Sequence, residues 1–134
     1  IDMLTLKGGG AAGGLGAGLW AFLGARLVSG AELLLDACNF SAHAEAADII
    51  ITGEGCFDRQ SLHGKLPVAI AARAKGKRVA VIGGRVRLTE QEIANANLFC
   101  VEQAAPEGLN FEEIKARCRA DLFAAAQRVI RRII

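Results

Sequence analysis

The sequence has 134 residues, of which 52% are hydrophobic and 22% are charged. It is therefore long enough and apolar enough to bury one core, and we do not expect it to be disordered. Its 16 basic and 14 acidic side chains leave a net charge of +2, and 5% of the residues are aromatic. These values argue against nucleic acid as a partner. No apolar run reaches the roughly 20 residues that a membrane span needs, so we expect no membrane partner.

The four cysteines, Cys38, Cys56, Cys100 and Cys118, are widely spaced and form no C-x-x-C pair. With only two histidines in the chain, this spacing argues against a structural zinc site and is typical of reduced thiols in the cytoplasm. No signal peptide is recognisable. Because a glycine-rich segment follows almost directly after Ile1, we expect the chain to be a piece of a longer protein.

The N-terminal third is dominated by glycine. Residues 3–6 could form a short strand, and residues 7–18 contain seven glycines in twelve positions. Because each glycine inside a helix costs about 1 kcal/mol, this segment predicts a loop that becomes a helix after Gly13. Ser29 and Glu32 have the spacing of a capping box, which predicts a second helix over residues 30–38. A buried strand at 33–35 is the open alternative.

The remaining chain alternates strands with helices. We predict a short helical turn at 41–46, strands at 48–52, 78–82 and 97–101, and helices from Pro67, from Thr89 and over 110–132. Gly53 and the pair Gly83-Gly84 are expected to end the first two strands. This alternation predicts an α/β fold with a mostly parallel sheet and flanking helices, Rossmann-like or flavodoxin-like. An internal boundary is expected near 38–47.

The glycine-rich segment is the first candidate site. Gly8-x-Gly10-x-x-Gly13, with Asp36 about 20 residues further on, formally matches a dinucleotide-binding fingerprint. Glycines allow backbone N–H groups to approach a phosphate at a helix N-terminus. The same pattern also fits a tight loop that only packs closely. Phosphate binding, nicotinamide binding and simple packing therefore stay open.

The second candidate is the polar loop that follows the strand at 48–52, because ligands gather at the carboxyl ends of parallel strands. Lys65 precedes a helix and could hold an oxyanion there. Carboxylates can hold Mg²⁺ and orient an attacking hydroxyl in phosphoryl transfer. An ordinary polar loop with solvated side chains is the alternative for each residue. The loop carries seven polar side chains: Glu54, Asp58, Arg59, Gln60, Ser61, His63 and Lys65.

Two separate motifs resemble the bacterial glycerate kinase family, type I. The first lies in the glycine-rich segment and includes Gly10, Gly13, Gly14 and Gly16. The second combines residues 47–55 with Asp58, Gln60, Gly64-Lys65 and Pro67. The resemblance extends over about residues 7–86, more loosely to the C-terminal helix, and also includes Ser29-Gly30, Asp36 and Asn39-Phe40.

This resemblance implies a kinase that phosphorylates D-glycerate with ATP and Mg²⁺, giving 2- or 3-phosphoglycerate in a cleft between two α/β domains. The chain would be a C-terminal segment of such a protein, completed by an N-terminal part and inactive alone. A homo-oligomer is an open alternative. We expect Asp58, Lys65 and Glu54 to be catalytic, with Asp58 and Glu54 as metal ligands. The residues expected to bind substrate or nucleotide are Gly10, Gly13, Gly14, Gly16, Gln60, Ser61 and His63.

One position departs from the family pattern: Cys56 stands where the family usually has Arg. Two rival hypotheses remain beside the kinase. A dinucleotide-binding module would place Asp36 on a ribose and would require a strand at 33–35. A non-catalytic, nucleotide-responsive module would retain the fold without the activity, and Cys56 is the feature that favours it.

Overall fold

The computed structural model describes residues 5–134, which form two compact units that meet in sequence between Cys38 and Asn39. The first unit contains two helices, and the second contains a three-stranded sheet and four helices. The helices are α1 (Ala11–Leu23), α2 (Gly30–Ala37), α3 (Phe40–Ala46), α4 (Leu66–Arg73), α5 (Glu90–Asn95) and α6 (Phe111–Ile133). The strands are β1 (Ile49–Phe57), β2 (Arg78–Val86) and β3 (Cys100–Gln103), with a 3-10 turn at Ser61–His63.

The first unit follows the sequence prediction for its helices. Ala12, Gly13 and Gly14 have positive φ angles of 51°, 69° and 97°, so a regular helix follows only after Gly14. The Ser29 hydroxyl accepts a hydrogen bond from the Glu32 N–H at 3.4 Å, and α2 begins at the next residue. The strand considered for 33–35 is wrong, because these residues are helical. Of the strand expected at 3–6, residues 3 and 4 lie outside the described residues, and residues 5 and 6 are not extended.

The second unit is built on a parallel sheet in the order β1-β2-β3, which confirms the predicted fold class. On one face of the sheet, Ala80 and Ile82 of β2 pack with Ala125 and Val129 of α6. Side chains alternate along a strand, so the buried residues Val79 and Val81 point to the opposite face. That face belongs to α4, which contacts both β1 and β2. The central strand is therefore covered on both sides, as parallel sheets require.

The first two strands run further than the sequence predicted. β1 continues through Gly53 to Phe57, and β2 continues through Gly83-Gly84 to Val86, so these glycines do not end the strands. A Cβ atom on Gly84 would lie 2.5 Å from the Gly55 carbonyl oxygen of the neighbouring strand. Glycine at this point allows the two strands to stay in contact. The third strand is also displaced, since it begins at Cys100 rather than at residue 97.

The C-terminal helix was predicted correctly in extent but not in its whole buried face. The Asn110 side chain caps α6 by accepting from the Glu113 N–H at 3.1 Å. The helical spacing of apolar residues predicts a buried face that includes Phe111, Leu122, Ala125 and Val129. The Phe111 and Leu122 side chains are nevertheless 72% and 53% exposed. Two other residues of that face, Ala125 and Val129, are buried as predicted, together with the unpredicted Asp121.

An ion-pair cluster also joins α6 to the sheet. Glu102 of β3 is only 7% exposed. Its Oε2 atom accepts from Arg128 Nε at 2.8 Å, and Arg132 Nη2 lies 2.7 Å from its Oε1 atom. Two arginines thus neutralise a carboxylate that would be costly to bury alone. Among the described residues, no helix has the length and hydropathy needed to cross a membrane.

Candidate functional site

The end of β1 delivers acidic and thiol side chains to one side of the sheet. Because β1 extends to Phe57, Glu54 and Cys56 lie two residues apart on the same strand and share a face. Asp58 follows directly after the strand. The loop then passes through the 3-10 turn to Gly64, whose φ of 94° suits glycine, and into α4. Two acidic side chains therefore precede the N-terminus of a helix.

Lys65 joins the two carboxylates. Its Nζ atom lies 3.0 Å from Glu54 Oε1 and 4.0 Å from Asp58 Oδ1. The hydrogen bond to Glu54 raises the pKa of Lys65; partial burial opposes this rise, and the charges of Glu54 and Asp58 add to it. Lys65 is also the residue before the first turn of α4, and its carbonyl accepts from the Val68 N–H at 3.1 Å. Helix geometry thus fixes the backbone from which the ammonium group reaches back to β1.

The Asp58 carboxylate is held by the turn that follows it. Partial burial works to raise its pKa, but hydrogen bonds from the Ser61 and Gln60 backbone, together with the Lys65 charge, leave the pKa of Asp58 below its ordinary value. Oδ1 accepts from the Ser61 N–H at 3.2 Å. Asp58 is therefore ionised at neutral pH and available as a hydrogen-bond acceptor or a metal ligand.

Glu54 leaves one oxygen unsatisfied. Its side chain is 17% exposed, and Oε1 carries the contact to Lys65. Its Oε2 atom is buried and has no hydrogen-bond partner within residues 5–134. A buried carboxylate oxygen without a partner is unfavourable, so this atom marks a point at which a donor or a cation would be stabilised.

The other loop residues that were predicted to bind substrate or nucleotide differ in their exposure to solvent. Gln60 and His63 are exposed, whereas Ser61 has no exposed surface. Arg59 points to α5, where its Nε atom donates to Glu92 Oε1 at 2.6 Å. The spacing of Thr89 and Glu92 predicts a capping box at the start of α5, which gives no indication of a contact between Glu92 and Arg59. The two residues are 33 positions apart, and no local signal relates them.

The glycine-rich segment is folded tightly on itself within the first unit. Gly10 and Gly13 are exposed, and Gly14 is half-buried. Gly16 is buried, and a Cβ atom on it would lie 2.7 Å from the Gly8 carbonyl oxygen. Ala12 has a left-handed backbone that costs a non-glycine residue about 1 kcal/mol. The segment is thus a defined loop, shaped by backbone contacts rather than by polar side chains.

The fold and this site define a parallel α/β domain with charged groups at the carboxyl end of an edge strand. The sequence model of the Glycerate kinase family matches residues 1–134, so the chain belongs to this family. It is 51% identical over 81 residues to a glycerate kinase of Halalkalibacterium halodurans, covering 60% of this chain and 21% of that protein. It is 47% identical over 90 residues to glycerate 2-kinase of Escherichia coli, covering 67% and 24%.

Longer matches give the same result. A glycerate kinase of Haemophilus influenzae is 32% identical over 126 residues, covering 92% of this chain and 33% of that protein. The crystal structure of a glycerate kinase 2 from Salmonella typhimurium LT2 aligns with a TM-score of 0.56 and 36% identity, covering 96% of this chain and 36% of that one. The chain therefore spans between a fifth and about a third of the length of these relatives.

Proposed function

We propose that this chain forms part of an enzyme that transfers the γ-phosphoryl group of ATP to a hydroxyl group of D-glycerate, giving 2- or 3-phosphoglycerate. The observation that carries the proposal is the contact of Lys65 with both Glu54 and Asp58 at the carboxyl end of β1. Membership of the glycerate kinase family supplies the substrate. The chemistry needs positioning and charge neutralisation more than covalent participation, which suits this set of side chains.

Asp58 is assigned the orientation of the attacking hydroxyl. Its lowered pKa makes it a weak base at neutral pH but a permanent hydrogen-bond acceptor. The Asp58 carboxylate accepts a hydrogen bond from the glycerate hydroxyl and thereby directs the hydroxyl oxygen toward the γ-phosphorus of ATP. A bond forms between the hydroxyl oxygen and the γ-phosphorus as the bond from phosphorus to the β–γ bridging oxygen breaks; ADP leaves, and the hydroxyl proton passes through Asp58 to water.

Lys65 is assigned the neutralisation of negative charge. An ammonium group has three donors, and Glu54 takes one of them at 3.0 Å. The side chain is 44% exposed, so the remaining donors are accessible to a phosphoryl oxygen or to the glycerate carboxylate. Its raised pKa keeps it charged throughout the neutral range. Glu54 fixes the ammonium group at the end of β1.

The carboxylates also fit a role in holding Mg²⁺, which would neutralise charge on the ATP phosphates when bound. Glu54 Oε2 has no hydrogen-bond partner among the described residues, and the Asp58 side chain is 32% exposed. No group of three or more His, Cys, Asp or Glu side chains in residues 5–134 could hold a metal ion. One or two carboxylates nevertheless suffice for Mg²⁺ when phosphate oxygens and water complete its shell.

The glycine-rich loop is assigned to the ATP phosphates. Gly10, Gly13 and Gly14 present backbone without side chains at the start of α1, where N–H groups can approach an anion. Gly16 is assigned to the shape of the loop, since it is buried against Gly8. Gln60 and His63 are assigned to glycerate, because both are exposed beside Asp58.

We also propose that the active enzyme acts in the cytoplasm, which the wide cysteine spacing favours. It needs the remainder of a longer polypeptide, because the chain spans only 21–36% of the relatives described above. The test is a coupled assay of ATP turnover by the full-length protein with D-glycerate and a panel of other small hydroxy acids. We expect D-glycerate to give the highest kcat/KM and residues 1–134 alone to be inactive.

The same assay separates the kinase from its rival. Nucleotide binding without glycerate-dependent turnover would support a non-catalytic, nucleotide-responsive module, for which Cys56 is the motivating feature. Turnover with another hydroxy acid but not with glycerate would leave the phosphotransferase reaction standing and change the substrate. The helix α2 excludes the dinucleotide-binding hypothesis, which required a strand at 33–35.

A further inference from the structure

The loop after β1 contains a fully buried serine, Ser61, to which the proposed reaction assigns no contact. Ser61 was expected to contact substrate or nucleotide, yet it has no exposed surface. A buried hydroxyl is costly unless it forms hydrogen bonds, and the Ser61 hydroxyl forms them within its own loop. Its Oγ atom accepts from the Asp58 N–H at 3.2 Å. The same hydroxyl can donate to Asp58 Oδ1 or to the Cys56 carbonyl, each at 3.3 Å.

The bonds between Ser61 and Asp58 are reciprocal. The Ser61 N–H lies 3.2 Å from Asp58 Oδ1 and 2.9 Å from the Asp58 carbonyl oxygen. Each residue thus receives the backbone N–H of the other on a side-chain oxygen. This is the arrangement of a capping box, placed here at the start of the 3-10 turn. It restrains rotation of the Asp58 carboxylate, since Oδ1 receives up to two donors from Ser61.

We propose that Ser61 is a positioning residue that fixes the orientation of the Asp58 carboxylate and supports phosphoryl transfer through Asp58, without touching the substrate. This inference rests on the proposed function, because it assigns Ser61 a role only if Asp58 orients the glycerate hydroxyl. When the hydroxyl donates instead to the Cys56 carbonyl, it joins the turn to the end of β1. The strand, the turn and the carboxylate are thereby held as one unit.

Geometry gives the expected size of the effect. A carboxylate misplaced by about 1 Å costs on the order of 100-fold in rate, and a rotated carboxylate that can still return costs less. In the full-length protein we expect Ser61→Ala to lower kcat for glycerate phosphorylation by about 10- to 100-fold, with KM for ATP nearly unchanged. The matched control is Ser41→Ala, since Ser41 is an exposed serine on α3.

A double-mutant cycle tests whether Ser61 acts through Asp58. If it does, adding Ser61→Ala to Asp58→Asn should change kcat by less than about twofold, because the group that it positions is already lost. Independent, multiplicative losses would overturn the proposal. So would a normal kcat for Ser61→Ala alone.

Hydrogen exchange separates this inference from the function on which it rests. Exchange of the Asp58 amide should accelerate in Ser61→Ala, because the acceptor of that N–H is gone; unchanged exchange would overturn the proposal. A near-normal kcat for Asp58→Asn would overturn the role assigned to Asp58 and the role of Ser61 with it, whereas absence of glycerate-dependent turnover in the unsubstituted full-length protein would overturn the proposed function. If Ser61→Ala does not fold, Ser61→Cys replaces it in the same cycle, since a thiol of similar size is a weak acceptor.

Discussion

The two candidate sites are built in opposite ways. In the glycine-rich segment, shape comes from backbone: Gly16 lies against the Gly8 carbonyl, and residues 12–14 have positive φ angles. In the loop after β1, shape comes from polar side chains: Lys65 contacts Glu54, and Ser61 bonds Asp58. The first is suited to surround a phosphate with N–H groups, and the second to place charges around a reacting group.

This difference predicts different responses to substitution. A backbone-built loop is sensitive to any added Cβ atom at a close approach and insensitive to charge. A side-chain-built loop tolerates small changes of volume but not the loss of a charge.

Removal of the ammonium group should have the largest effect. We expect Lys65→Ala to lower kcat for glycerate phosphorylation by about 100- to 1000-fold in the full-length protein, as removal of a charge-stabilising donor does in other enzymes. Lys115→Ala, which removes an exposed lysine from α6, should leave kcat within about twofold. Equal rates for the two variants would show that Lys65 is only a surface lysine.

The glycine-rich loop should respond to a single methyl group. Gly16→Ala would place its Cβ atom 2.7 Å from the Gly8 carbonyl oxygen, and we expect it to cost about 1–3 kcal/mol of stability and to raise KM for ATP. At Gly18, a Cβ atom would meet nothing within 4 Å. Gly18→Ala should therefore be neutral or stabilising by up to about 1 kcal/mol, because α1 gains a better helix former. Thermal unfolding distinguishes the two, and a neutral Gly16→Ala would contradict the close contact.

At position 56, where the family usually has Arg, a substitution is expected to improve substrate binding rather than to weaken it. Cys56 shares a strand face with Glu54, whose Oε2 atom is buried and unpaired among the described residues. An arginine at 56 would add a cation on the same side of the sheet as Lys65, where it could meet the glycerate carboxylate. We expect Cys56→Arg to lower KM for glycerate several-fold, with Cys56→Gln as the uncharged control. A higher KM in Cys56→Arg than in Cys56→Gln would show that this position does not meet an anion.

The smallest effect should come from loss of the ion pair between Arg59 of the loop and Glu92 of α5. Hydrogen bonding to the Thr89 backbone, with the contact to Arg59, lowers the pKa of Glu92. A lowered pKa stabilises the fold above the unfolded value of about 4.3, and this stability is lost as the pH falls through the folded value. Glu92→Gln should therefore be less stable than the unmodified protein at pH 7, and the difference should shrink below about pH 4.

The control for this measurement is Glu90→Gln, which removes a carboxylate from the same first turn of α5. Glu90 experiences the same helix dipole as Glu92, but the capping box and the contact with Arg59 are formed by Glu92. We expect Glu90→Gln to lower the free energy of unfolding at pH 7 by less than Glu92→Gln does. Identical stability curves for both variants would reduce the role of Glu92 to the helix dipole alone.

Much of the fold could be predicted from local chemistry. The caps at Ser29, Thr89 and Asn110 fix where α2, α5 and α6 begin, and Pro67 lies in the first turn of α4. Strand ends could not be predicted in the same way. Gly53 was interpreted as a stop, whereas the strand continues because its neighbour carries a glycine at the point of closest approach. That glycine, Gly84, lies 29 positions after Gly55, the residue that it faces, and no local pattern relates the two.

The site shows the same division. The loop and its charged residues followed from the rule that ligands bind at the carboxyl ends of parallel strands. The roles of the residues within the loop depend on which side chains are buried. In a strand, the alternation of apolar and polar residues indicates this, but a turn has no such pattern. By sequence, Ser61 is expected to bind substrate or nucleotide, yet it is buried. Arg59 is one of the seven polar residues of the loop by sequence, yet it contacts Glu92 of α5.

The most direct test of the account is the rate of glycerate phosphorylation by Asp58→Asn compared with Asp48→Asn. Asn keeps an oxygen for the Ser61 N–H, so the turn should persist while the charge is lost. Asp48 is exposed and precedes β1, at the other end of the strand. We expect Asp58→Asn to lose about 100-fold or more in kcat and Asp48→Asn to lose less than about twofold. Equal turnover by the two variants would contradict the assignment of the active site to the end of β1.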